Sequence, residues 1–241
     1  MSVASSDSRQ GSCGITADCP RGPAAAREYQ RALELNPNDA RVHVLYGIYL
    51  SDRGDQEQSF LHLHRALELD PLDLNASENL AYTYYNSRQY GRAIEQLKSL
   101  LQLEPNYASA HGTLAGIYRF MGEYNLWLEE WEESARLSND AESLQLVKTV
   151  RSEYLKSNYR SATKRLIALR EERSKHLYVD PGLIALDYAT LADKEQTFIW
   201  LEKAFAEKSA ALSFCIKVDP NFDFIRSDPR YANLLHRMNL S

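Results

Sequence analysis

The sequence predicts an all-α protein, an α-solenoid built from antiparallel helical hairpins. Three observations predict it. A short stretch returns at a fixed interval: Ala32-Leu33-Glu34-Leu35-Asn36-Pro37 comes back as Ala66-Leu67-Glu68-Leu69-Asp70-Pro71, then as Leu100-Leu101-Gln102-Leu103-Glu104-Pro105, and the three prolines stand 34 residues apart. That period is the length of one stacked helix pair. Turn residues fall in register with it, as Arg53-Gly54-Asp55, Arg88-Gln89-Tyr90 and Gly122-Glu123-Tyr124. Composition agrees, with only 10 Gly and 8 Pro in 241 residues and with Leu, Ala, Glu, Arg and Tyr abundant.

Each copy of the recurring stretch closes the second helix of a hairpin. Proline lacks an N–H and clashes with the preceding turn, so no further turn can form. The next helix then starts on a side chain that can accept from its free N–H groups, and Asp39, Asp73 and Asn106 are the candidates. Small and large residues alternate as close helix crossings require. Gly47 and Ala66 are small in the hairpin from Ala40; Leu80-Ala81, Tyr84, Ala93, Leu97 and Leu100 follow in the one from Leu74; Leu114-Ala115, Tyr118 and Trp131 in the one from Ala108. In this pattern the chain resembles the tetratricopeptide repeat family over roughly residues 24–209. The resemblance implies a right-handed superhelix of about five repeats, with a half repeat before them and a capping helix after.

Taken in order, residues 1–22 are Ser, Gly, Asp, Thr and Pro with little apolar content, the composition of a disordered tail. Residues 23–39 hold only the second helix of a hairpin, a half repeat whose front face lacks its usual partner. The tail, a lost upstream segment or another chain could cover it. Hairpins are expected over 40–73, 74–107 and 108–141. Trp127 stands where the resemblance calls for Ala at the closest crossing, either as a core residue the helix shifts to fit or as a binding residue. Residues 142–177 form a degenerate hairpin, with Tyr159, Ala162, Leu166 and Leu169 at helical spacing. Seven acids and one base between Glu123 and Glu142 precede nine bases and three acids between Lys148 and Lys175. Such segregation suits compensation between stacked helices, or else a basic patch.

Asp180-Pro181 opens a further hairpin over 178–209, as a cap followed by a first-turn proline. Asp193 with Gln196 makes a weaker capping box. Residues 210–241 form a cap, in which Asp228-Pro229 starts a last short helix. Residues 178–240 are similar to the closing segment of tetratricopeptide arrays in bacterial signalling proteins. In those proteins a winged-helix regulator, kinase or cyclase often precedes the array. None of these domains is in this sequence. The resemblance implies an array with its closing segment, which would shield the last apolar face.

Several functions are disfavoured. A net charge of −5 does not attract nucleic acid. No run of 18 apolar residues is present, so neither a spanning helix nor a membrane partner is expected. Cys13, Cys19 and Cys215 do not make a disulfide framework, and the spacing of the first two is poor for zinc. Neither a metal nor a cofactor is expected, and a reducing cytoplasm is the simplest compartment. No phosphate-binding loop, nucleophile elbow or zinc-protease motif occurs, so no enzyme is expected. His62 and His64 lie about 200° apart around one helix and cannot share a metal from one face.

The expected working surface is the concave groove lined by the first helix of each hairpin. Its candidate residues are Arg41, Val44 and Ile48, then Asn75, Glu78, Tyr82 and Tyr85, then Arg119 and Phe120. The carboxylate clamp of chaperone-binding family members does not carry over. Val44 and Ile48 occupy its Lys and Asn places, Ser109 and Thr113 its later basic places, and only Asn79 matches. The expected role is a non-catalytic scaffold holding a peptide or protein segment in this groove. The alternative is a detached regulatory module of a larger signalling protein, such as a winged-helix regulator or a kinase.

Overall fold

The computed structural model describes residues 24–240 and is all-helical over them, without a strand. The tail expected over residues 1–22, with Cys13 and Cys19, lies outside the described residues. Helix α1 (Ala25–Leu35) precedes five hairpins: α2 (Ala40–Asp52) with α3 (Gln56–Leu69), α4 (Leu74–Asn86) with α5 (Tyr90–Leu103), α6 (Ala108–Met121) with α7 (Tyr124–Leu137), α8 (Ala141–Lys156) with α9 (Tyr159–Ser174), and α10 (Pro181–Thr190) with α11 (Lys194–Ala206). A short α12 (Ala210–Cys215), a 3₁₀ helix (Pro220–Ile225) and α13 (Pro229–Arg237) complete the described chain. None of these helices is long and apolar enough to cross a membrane.

Local chemistry sets the helix ends. Asp39 accepts from the Val42 amide at 3.1 Å, Asp73 from Ala76 at 2.9 Å, Asp180 from Gly182 at 2.8 Å and Asp228 from Arg230 at 3.0 Å. Asp193 accepts from the Gln196 amide at 3.2 Å. Helix α6 departs from expectation, because its cap position is Tyr107 and no side chain caps it. Asn106 stands one residue before that cap, in the turn closed by the Tyr107 amide on the Glu104 carbonyl.

Close crossings occur where small residues stand. A Cβ on Gly47 would lie 2.7 Å from Leu63 Cγ, so glycine is what lets α2 and α3 approach. The turns inside the first three hairpins need a left-handed residue, supplied by Gly54 (φ +85°), Arg88 (φ +62°) and Gly122 (φ +83°). Two of the three are glycine, which adopts this conformation without steric cost.

The core is a series of clusters between neighbours, as a solenoid requires. Val44, Leu63, Ala66, Ala76 and Leu80 form one near the front. A longer one runs from Ala81 to Leu166 across α4–α9. Trp127 belongs to it, stacked at 5.7 Å on Trp131 and edge-on to Tyr159. The acidic and basic segments do face each other, for Arg151 pairs with Glu132 at 2.7 Å and Arg173 with Glu142.

The closing segment buries Phe222, Ile225, Tyr231 and Leu234 with Phe198, Leu201 and Ala204, and so shields the last hairpin. It also turns back across the inner face of the array. Arg88, at the turn after α4, donates to the Val218 carbonyl at 2.7 Å and pairs with Asp223. Arg53, at the turn after α2, donates to the Asn239 carbonyl at 3.3 Å. Residues 130 or more positions apart thus meet, and the superhelix closes on its own C-terminal region.

Candidate functional site

The candidate groove residues separate into three groups. On α2, Arg41 is exposed, but Val44 is only 2% exposed and sits in the core cluster with Leu63 and Leu80, with Ile48 packed beside it. Val44 and Ile48 are one turn apart, on the face of α2 that meets the neighbouring helices. Val44 is therefore a core residue, and Ile48 is partly buried against the same cluster.

On α4, Asn75 is exposed and its side-chain oxygen accepts from Asn79 at 2.9 Å. Glu78 ties this repeat to the next, accepting from Ser109 Oγ at 2.7 Å, Thr113 Oγ1 at 2.8 Å and the Tyr107 hydroxyl at 3.1 Å. Burial and the neighbouring Glu78 charge push Tyr107 up to about 12. Glu78 therefore serves as a seam between α4 and α6.

Tyr82, Tyr85, Arg119 and Phe120 are the four candidates the structure brings together. They line an open-mouthed cavity of about 410 Å³ between α4, α6, α7, α9 and α10, with Asp219 and Asn221 of the closing segment also in its lining. Trp127 and Trp131 line it too. Tyr85 is buried and meets Phe120 edge-on at 5.9 Å. Its hydroxyl donates to Asp219 Oδ1 at 3.2 Å and accepts from Asn221 Nδ2 at 3.0 Å. Burial raises Tyr85 well above the usual tyrosine pKa, and the Asp219 charge adds to the rise. Burial also lifts Asp219; hydrogen bonds from Asn221 and Tyr85 offset this only in part.

Arg119 is held on every side. It donates to Asp187 Oδ1 at 2.7 Å, to the Tyr159 hydroxyl at 3.2 Å and to Thr190 Oγ1 at 3.3 Å, with its guanidinium 4.8 Å from the centre of the Trp127 ring. Burial works to lower its pKa, but Asp187 outweighs this and holds it above the usual value. Asp187 is fully buried and takes a second guanidinium, that of Arg170. Two arginines thus share one carboxylate at the cavity wall.

Sequence reasoning missed Arg170, Asp187, Asp219 and Asn221. Asp187 carried a usable signal, as the one charge in the otherwise apolar run Gly182-Leu183-Ile184-Ala185-Leu186 and Tyr188-Ala189. Asp219-Pro220 repeats the cap-and-proline pattern of Asp180-Pro181. Arg170 lies in a generally basic helix and nothing in the sequence distinguishes it.

Two tetratricopeptide repeat models match the chain, one over residues 28–60 and one over residues 74–107. The peroxisomal targeting signal receptor of Candida glabrata is 35% identical over 75 residues, which is 31% of this chain and 13% of that protein. The receptor of the same name from Kluyveromyces lactis is 33% identical over 90 residues, 37% of this chain and 14% of that protein. Each alignment thus spans about a seventh of the relative's length. A crystal structure of a tetratricopeptide repeat protein from Parabacteroides merdae superposes with a TM-score of 0.53 over 90% of this chain and 85% of that one. At 14% identity that likeness is one of fold. The chain carries tetratricopeptide repeats, stacked as an α-solenoid of helical hairpins.

Proposed function

We propose that the chain is a non-catalytic interaction scaffold, holding a protein or peptide segment against the inner face of its solenoid. The observation that carries this reading is the run of first helices α2, α4 and α6, which offers Arg41, Asn75, Tyr82 and Phe120 from successive repeats. An extended or amphipathic segment can meet such a surface through regularly spaced apolar anchors. The two yeast relatives are named as receptors for a targeting signal, which supports a protein segment as the ligand class.

The closing segment covers Tyr85, whereas Arg41 and Asn75 are exposed. The test is affinity capture from the host's own lysate, read by mass spectrometry, with wild type beside Tyr82→Ala and Asn75→Ala. Tyr82 is only partly buried, so its truncation reports on binding more directly than truncation of Tyr85. The expected result is a partner retained by wild type and lost with the variants. A partner held equally by all three proteins removes the inner face from the account.

A further inference from the structure

We propose that the cavity between α4, α6, α10 and the closing segment is a binding site for a small organic acid, a single carboxylate on an apolar or aromatic body. The inference goes beyond the scaffold reading and does not depend on it.

Volume is the first argument. At about 410 Å³ the cavity lies within the range of small-molecule pockets, roughly 300–1,000 Å³. It can take a molecule of one ring with a short side chain.

The walls are the second argument. Tyr82, Phe120, Trp127, Trp131, Leu183 and Leu186 give faces suited to an apolar body.

Charge is the third. Arg119 and Arg170 both pair with Asp187, so these three side chains together carry one positive charge in excess, with Asp219 the fourth charged group of the lining. Arg119 and Asp187 have side-chain exposures of 10% and 0%. Arg170, 18% exposed, shares its one carboxylate with Arg119, and an entering anion would give it a second. Arg119 has its donors committed to Asp187, Tyr159 and Thr190. Arg170 meets Asp187 through one Nη and lines the cavity, which leaves it the better placed of the two to take a carboxylate. Asp219, the other carboxyl at the cavity, is bound to Tyr85 and Asn221 on the closing segment's wall. Burial raises its pKa, and the donors on Tyr85 and Asn221 already occupy its Oδ1.

Isothermal titration of the full chain with indole-3-acetate, 4-phenylbutyrate and octanoate tests the proposal, each acid being run beside its amide. The expected result is one site for at least one of these acids, with its amide bound about tenfold more weakly or worse, the factor that losing one charge-assisted contact produces. Arg170→Gln should bring the acid down to the level of the amide. An acid and its amide bound equally, no acid bound at millimolar concentration, or full acid affinity in Arg170→Gln would each overturn the assignment. Should Arg170→Gln fail to fold, the comparison of acid with amide on wild type still decides. A blocked peptide acid, acetyl-Ala-Ala-Phe, is the last arm. Binding of that peptide without binding of the free acids would overturn the small-acid proposal and give the cavity to a peptide end. Retention of the protein partner by Tyr82→Ala fails the scaffold reading alone, and the titrations fail this one alone.

Discussion

Arg88 holds Asp223, a residue 135 positions further along the chain, and does so from a left-handed backbone conformation. In the flanking hairpins the same turn position belongs to Gly54 and Gly122. A non-glycine residue there costs about 1 kcal/mol or more. The side chain gives the reason for the arginine, because it also grips the Val218 carbonyl and so fastens the closing segment across the inner face.

Arg88→Gly therefore separates backbone from side chain. The glycine relieves the left-handed strain while the anchor is lost. The ion pair is more than a third exposed on both sides, so its own contribution is small. The expected outcome is a melting temperature close to wild type together with faster amide hydrogen exchange across residues 217–226. Arg88→Ala keeps the strain and loses the anchor, and should fall below Arg88→Gly by about 1 kcal/mol. Unchanged exchange in both variants would show that the closing segment docks without Arg88.

Gly47 and Gly91 should respond to alanine with opposite signs. A Cβ at Gly47 meets Leu63 at 2.7 Å, and Leu63 is wholly buried with no room to give way. Overpacking of this kind costs about 1–3 kcal/mol. At Gly91, in the first turn of α5, a Cβ meets nothing within 4 Å. Alanine there should stabilise by roughly 0.5–1 kcal/mol, through the lower entropy of the unfolded chain. Urea unfolding of both variants beside wild type reads the two signs. By the same packing logic Ala93→Trp, at a position with no exposure, should unfold at least one repeat.

The parts of the fold that were legible in the sequence are those that repeat. The small residue at Gly47, the caps at Asp39 and Asp73 and the turns at Gly54 and Gly122 all follow from a period of 34 residues. The closure was not legible, since superhelical curvature accumulates from small rotations per repeat and leaves no local mark. Hence nothing in the sequence brought Asp219 to Tyr85. Arg170 and Asp187 were missed because they lie beyond the last clear repeat, where spacing no longer tells which helix faces inward. The candidate site was legible in its aromatic half, through Tyr82, Tyr85 and Phe120, and in Arg119, but not in the partners that hold Arg119. Val44 and Ile48 were assigned to the groove by helical position alone. Their apolar side chains instead follow the hydrophobic effect into the core.

Glu78 accepts from three hydroxyls of the next repeat. Its removal should loosen the junction of α4 with α6 rather than any single helix. Glu78→Ala is expected to cost about 1–3 kcal/mol, because it leaves hydroxyl donors of Tyr107 and Thr113 partly desolvated and unpaired. Tyr107, pushed up to about 12 by burial and by Glu78, should titrate lower in this variant. An NMR titration of tyrosine Cζ carbons reads that shift, and chemical unfolding reads the stability. A Tyr107 pKa that did not move would mean that burial and the Asp73 charge set it without Glu78.

His43 and His62 give the array a dependence on acid. Their Nδ1 atoms lie 2.9 Å apart, and His43 Nε2 lies 3.0 Å from the Pro37 carbonyl. A carbonyl only accepts, so His43 carries its proton on Nε2 and presents the lone pair of Nδ1 to His62. His62 then donates from its own Nδ1. Burial lowers the pKa of His62, and the charge His43 would carry lowers it further. A histidine whose folded pKa lies below its unfolded value contributes stability that is fully present above the unfolded pKa, near 6.5, and is lost as pH falls through the folded one. With both rings protonated, two donors would face each other across the join of α2 and α3, and neither could accept. Wild type should therefore lose stability between pH 7.5 and about 5, whereas His62→Gln, which adds no charge on acidification, should lose less. Thermal unfolding of the two proteins across that range makes the comparison. Parallel curves would place the acid sensitivity outside this pair.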